Sequence, residues 1–264
     1  MRQSKTTGLI CLKDAYDFEY SIAIIEYTER EDETYTYSFR PNYSVISLLP
    51  TTLFQGIPGL NLDKHKEEYL RENMTPVFIS ERTPSEGRED LWQLLEACGM
   101  NYLNRLEWLI RTNMQYGGDP MYVKRFEPAD AKQTIAFEAI ITAENRSARL
   151  LQRLLREICR GNDIVAPDFS IDDSNRKQFY ALLLPLYEKE KSYLKQQKTR
   201  GIQIAAAQGK YTGRKPIPID DIQLDAVFTA YQKGRMDLTE AIEKLGVSRS
   251  TFYRRLREYK ANDC

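Results

Sequence analysis

Leu245-Gly246-Val247-Ser248-Arg249-Ser250-Thr251-Phe252-Tyr253-Arg254-Arg255-Leu256 is the stretch that decides how this chain is read. Gly246 supplies a tight turn, because a residue without Cβ adopts positive φ at little cost. Ser248 is placed to cap a helix. Val247 before that cap and Phe252 in the first full turn make a hydrophobic staple. Leu256 continues the buried face. Just upstream, Asp237 with Glu240 three residues on is a capping-box pair, followed by the apolar face Leu238, Ala241, Ile242 and Leu245. Further back, Leu224, Val227, Phe228 and Tyr231 recur at i, i+3, i+4 and i+7 and stop at Gly234, which predicts another short helix. Residues 220–264 thus read as a three-helix unit whose last two helices form a helix-turn-helix. The exposed face of the last helix offers Ser248, Arg249, Ser250, Thr251, Tyr253 and Arg254 to base edges in a major groove. Arg255, Arg257 and Lys260 suit phosphates. The expected partner is double-stranded DNA.

Residues 209–219 contain two glycines and two prolines and cannot continue a helix. They read as an extended arm carrying Lys210, Arg214 and Lys215. Residues 174–208 read as one long helix on the spacing of Phe179, Leu182, Leu183, Leu186, Tyr193 and Leu194, about 50 Å long at 1.5 Å per residue. Pro185 lacks an amide hydrogen, so a kink or a fresh helix start is expected there.

The front of the chain reads differently. Ser21–Tyr27 and Thr34–Phe39 are β-branched and aromatic runs, with the acidic stretch 29–33 as a hairpin loop between them. The tyrosines at 16, 20, 27, 35, 37 and 43 suit cross-strand packing. Pro76–Ser80 and Ala136–Ile141 read as short strands, as does Ile164-Val165. Glu86–Ala97, Leu103–Ile110 and Arg149–Ile158 read as helices. Trp92 and Trp108 lie on apolar faces and are expected in the core. This alternation suggests an α/β unit.

Composition narrows the function classes. The 264 residues carry 38 basic and 38 acidic side chains, but Ser174–Cys264 holds 18 Lys/Arg against 10 Asp/Glu. That end is therefore +8 and the remainder −8, the polarity of a protein whose tail meets a polyanion. Four scattered cysteines without a CxxC pair suit a reducing cytoplasm and not a disulfide framework. One histidine, His65, and no cysteine cluster predict no metal site and no cofactor. No run is apolar enough for a bilayer, and the basic start leads into no secretory segment.

Residues 161–256 resemble the serine recombinases of the resolvase/invertase class. Asp168-Phe169-Ser170-Ile171-Asp172 with Phe179 is similar to that family's approach to its long helix. Lys198-Thr199-Arg200-Gly201-Ile202 through Ala205-Ala206-Ala207-Gln208-Gly209, then Gly213-Arg214-Lys215-Pro216, is similar to the helix end and arm. The resemblance implies a dimerising, DNA-crossing helix, an arm in the minor groove and a reader in the adjacent major groove. It also implies a bacterial, nucleoid-associated protein, acting as a homodimer, or as a tetramer if it recombines. Upstream, Arg88-Glu89-Asp90-Leu91 with Leu94-Leu95 and Asn145-Arg146-Ser147 resemble pieces of the catalytic domain. They make Arg88 and Arg146 candidate phosphate ligands, with ordinary surface pairing as the equal alternative. The family's Tyr-x-Arg-x-Ser nucleophile motif is not found. Arg40 and Ser44 lie four apart, not two, and Ser80 beside Arg82 is no closer to the pattern.

The expected fold class is therefore α/β. Residues 1–75 form a β-rich extension and 76–173 a diverged resolvase-like core. A long helix (174–208), an arm (209–219) and a helix-turn-helix domain (220–264) follow. The expected function is site-specific DNA binding, with recombination if the catalytic domain is active. The alternative is a catalytically inactive regulator or accessory factor of a mobile element. A metal-dependent nuclease would need an acidic pair, and the sequence groups none.

Overall fold

The computed structural model describes residues 4–32, 34–208, 210 and 219–262. The chain divides into two units, Met1–Gln196 and Gln197–Cys264.

In the first unit, β1 (Ser4–Lys13), β2 (Glu19–Glu29) and β3 (Tyr35–Pro41) run as an antiparallel meander. Residues 30–32 of the acidic stretch lie between β2 and β3, where the hairpin loop was expected, and Glu29 ends β2. Tyr27 pairs with Tyr37 across the two strands, their rings 4.9 Å apart. After the short helix α1 (Tyr43–Ile46), strand β4 (Tyr69–Glu72) joins the β3 edge. Three helices follow: α2 (Val77–Ser80), α3 (Leu91–Ala97) and α4 (Arg105–Thr112). Strand β5 (Tyr122–Arg125) then pairs with β1, completing the order β4-β3-β2-β1-β5. A second sheet holds β6 (Thr134–Ala136), β7 (Asp163–Val165) and β8 (Ser170–Ile171). Between β6 and β7 come α5 (Phe137–Ala143) and α6 (Ser147–Arg160). The long helix α7 (Arg176–Ala207) begins in this unit and continues past its end at Gln196.

The mixed α/β class stands, but several expectations change. The boundary at 75/76 is absent: β5 is hydrogen-bonded to β1, and one core runs from Ile10 through Phe78, Leu106 and Ile158 to Tyr187. Among the described strands, β6 and β7 pair in parallel and the other pairs are antiparallel. Val77–Ser80 is a helix and not a strand, with Ser80 N–H donating to the Pro76 carbonyl at 2.9 Å. A short apolar run without a period suits either structure, and Pro76 starts the helix. Phe137–Ala143 is likewise helical, with Ile140 buried and Ile141 exposed. Trp108 is buried as expected, but Trp92 is 62% exposed, because the face of α3 that packs inward is centred on Leu95. Helix α7 runs through Pro185 unbroken. Pro185 and Ala181, whose carbonyl loses its partner, are both exposed, where water can satisfy that oxygen.

Three polar devices fasten the unit. Gly161 ends α6 at φ +85°, and a Cβ there would stand 2.5 Å from Asn42 Nδ2, so α6 and the cap of α1 approach more closely than any other residue allows. The Tyr20 hydroxyl donates to Asp14 at 2.9 Å and lies 2.6 Å from the Tyr180 hydroxyl of α7. Arg176, fully buried in the first turn of α7, donates to the Asn162 and Gly161 carbonyls and to Asp163 and Asp173. Lys132 reaches the same two carboxylates, at 3.1 and 2.8 Å.

Partial burial of Asp173 works against its ionisation, yet bonds from Lys132 and Arg176 outweigh this and bring it from 3.8 down to about 2. A carboxyl depressed in the folded state adds stability above its unfolded value and loses it as pH falls through the folded one. Urea titrations should show stability falling between about pH 4 and pH 2. Asp173→Asn should flatten that fall, and an acid limb unchanged in the variant would refute the assignment.

The second unit contains α8 (Asp221–Gln232), α9 (Leu238–Leu245) and α10 (Arg249–Asn262). They enclose a core of Val227, Phe228, Ala241, Leu245, Val247, Phe252 and Leu256.

Candidate nucleic-acid interface

The second unit realises the local signals of its sequence closely. Asp237 and Glu240 form a reciprocal capping box, with Glu240 N–H donating to Asp237 at 2.8 Å and Asp237 N–H to Glu240 at 3.3 Å. Gly246 ends α9 at φ +61°. Thr251 N–H donates to Ser248 Oγ at 3.4 Å, so Ser248 caps α10. Val247 and Phe252 are both buried, as a staple requires. Phe252 packs edge-on against Phe228 and Tyr231, at 5.3 and 5.2 Å.

With Phe252 and Leu256 turned inward, helical geometry places Ser250, Arg254 and Arg257 on the opposite side of α10. All three are exposed, as are Ser248 and Arg249 at the helix start, while Thr251 is half-buried. Arg254 stands 3.9 Å from Glu258, with 61% of its side chain in solvent. Such a contact holds the guanidinium weakly. Arg257 Nε donates to the Tyr253 carbonyl at 3.4 Å. Arg255 is turned partly inward and pairs with Glu258 at 3.4 Å. Tyr253 is half-buried and hydrogen-bonds Tyr231, whose hydroxyl that bond pushes above its ordinary value. Its ring is thus oriented from behind, a restraint the sequence did not reveal. Two cross-ties were equally hidden: Gln223 Nε2 donates to the Lys244 carbonyl at 2.8 Å, and the Tyr259 hydroxyl donates to Asp225.

Charge is polarised within this unit. Residues 248–262 hold five cations and one acid, whereas 219–247 hold six acids and three cations. The positive field is therefore concentrated on α10. Lys210 is exposed, and the other arm candidates, Arg214 and Lys215, lie outside the described residues, as does the side chain of Lys260.

The candidates in the first unit are exposed or bonded to near neighbours in sequence. Arg88 is exposed and ion-paired with its neighbour Asp90, while Arg146 is exposed ahead of α6. The Ser80 hydroxyl donates to the Val77 carbonyl, and Ser44 donates to Asn42. No hydrogen bond joins Arg88 or Arg146 to a serine among the described residues. Among those residues, no three metal-ligating side chains come together, and no helix is long and apolar enough to cross a membrane. The chain matches no protein-family model, no curated protein sequence and no solved structure.

Proposed function

We propose that this chain is a sequence-specific double-stranded DNA-binding protein of serine-recombinase type, with α9 and α10 as its helix-turn-helix and α10 in the major groove. The observation that carries the reading is the outward face of α10, where Arg249, Ser250, Arg254 and Arg257 are exposed on a helix capped and packed from behind. In this reading Arg249, Ser250 and Arg254 face base edges, and Arg257, with the arm residues Lys210, Arg214 and Lys215, meets phosphates and the minor groove.

The protein acts as a homodimer in this proposal. Leu182, Leu186 and Tyr193 share one face of α7 and are 60%, 48% and 54% exposed, which is apolar surface of the kind that a second helix covers. Of its two forms, the regulator or accessory factor without strand-transfer chemistry is favoured by Arg88 and Arg146, which are exposed and bond no serine among the described residues. Transfer of a phosphoryl group to serine needs cations gathered around the nucleophile.

Band-shift titrations with DNA selected from a random pool should give a salt-sensitive, sequence-specific complex. Arg254→Ala should weaken it about tenfold to a hundredfold. Arg257→Ala should act on all sequences alike and lower the salt slope by about one. Equal affinity for selected and unrelated DNA at moderate salt would end the proposal. A covalent protein–DNA adduct on a supercoiled two-site plasmid would instead establish the active recombinase form.

A further inference from the structure

The first unit contains a cleft of 660 Å³ that the proposed DNA reader does not use. Its floor includes Leu9 and Ile24, register partners on β1 and β2 that belong to a small apolar cluster separate from the main core. Its sides come from the end of β3, from α1, from the segment after β5, and from the last residue of α6. The close approach of Gly161 to Asn42 holds two of those sides together, so the cleft is already formed without a ligand. Its volume suits a small organic molecule.

The balance of charge selects the ligand. Both acids at the rim are already engaged: Asp130 by Lys124 at 3.1 Å, Asp173 by Lys132 at 2.8 Å and Arg176 at 2.9 Å. Two rim arginines are not neutralised in the same way. Arg40 lies 3.5 Å from Glu26, a carboxylate that Lys5 holds more tightly at 2.8 Å. Arg160 makes no ion pair with any described residue, and its field extends over this side of the sheet as far as Glu19 and Cys11. A cleft with its acids paired, two guanidinium groups available and an apolar floor fits an anion with an apolar body. Guanidinium donates in parallel to the oxygens of either a carboxylate or a phosphate.

We infer that this cleft is a binding site for a small organic anion, its carboxylate or phosphate group held by Arg160 and Arg40 and its apolar part lying on Leu9 and Ile24. Isothermal titration of the full chain with phenyl phosphate, benzoate and benzylamine tests the site. At least one anion should bind saturably and benzylamine should not; the tighter anion identifies the head group. Arg160→Ser should weaken binding about tenfold or more. Arg156→Ser, one turn earlier on the exposed side of α6, should leave it unchanged. Both side chains are exposed, so neither variant threatens folding. Absence of binding by both anions, equal binding of benzylamine, or an Arg160→Ser variant as tight as the parent would each overturn the inference. None of these readings depends on DNA, so the site and the DNA reader stand or fall separately.

Discussion

Arg176→Ala should lower the unfolding free energy by about 3–5 kcal/mol in urea titrations followed by circular dichroism. Arg176 is fully buried, and its guanidinium donates to the Asn162 carbonyl at 2.5 Å, to the Gly161 carbonyl at 3.1 Å, and to Asp163 and Asp173 at 2.9 Å each. Truncation leaves two carbonyls without this donor and two carboxylates dependent on Lys132 alone. It also opens a cavity under the first turn of α7. Arg176→Lys keeps the charge but lacks the planar fork, so it should lose an intermediate amount. A loss below about 1 kcal/mol for the alanine variant would show that water or Lys132 replaces the arginine, contrary to the network described.

Phe252→Ala should have an effect of similar size, about 3–5 kcal/mol, confined to the second unit. Phe252 is fully buried between Phe228, Tyr231 and the rest of a small core. A unit of this size has few kcal/mol to lose, so the variant should be unfolded there near room temperature. Calorimetry of the full chain should show the transition of the first unit retained and that of the second lost, with DNA binding lost as well. Ser250→Ala, at an exposed position on the same helix, should leave both transitions in place. Survival of both transitions in Phe252→Ala would mean that the unit is held by something other than this core.

The two units differed in how far they were legible. In the second, the capping box, turn glycine, cap serine and staple all act between residues fewer than six apart, and each is present in the structure. What was hidden there was lateral: the Tyr231–Tyr253 and Gln223–Lys244 bonds join different helices and have no sequence spacing to announce them. In the first unit the hairpin of β2 and β3 was legible from its alternation and loop, while β1 was not. Residues 8–12 of β1 are all buried, so the strand has no polar face to mark a period of two. Strand β5 pairs with β1 across more than a hundred residues, a partnership no local window contains.

The sequence by itself determined the three-helix unit, its cationic last helix and the helical span of α7, though not its continuity through Pro185. These follow from interactions within one or two turns of helix, where spacing and side-chain chemistry are sufficient. Only the tertiary structure decided that residues on both sides of 75/76 share one sheet and one core. It alone gathered Leu9, Ile24, Arg40, Asp173 and Arg160 around one cleft. It also left Arg88 paired with Asp90 and both Arg88 and Arg146 exposed. Those outcomes depend on which distant surfaces bury each other, and burial is a property of the packed chain, not of any segment in it.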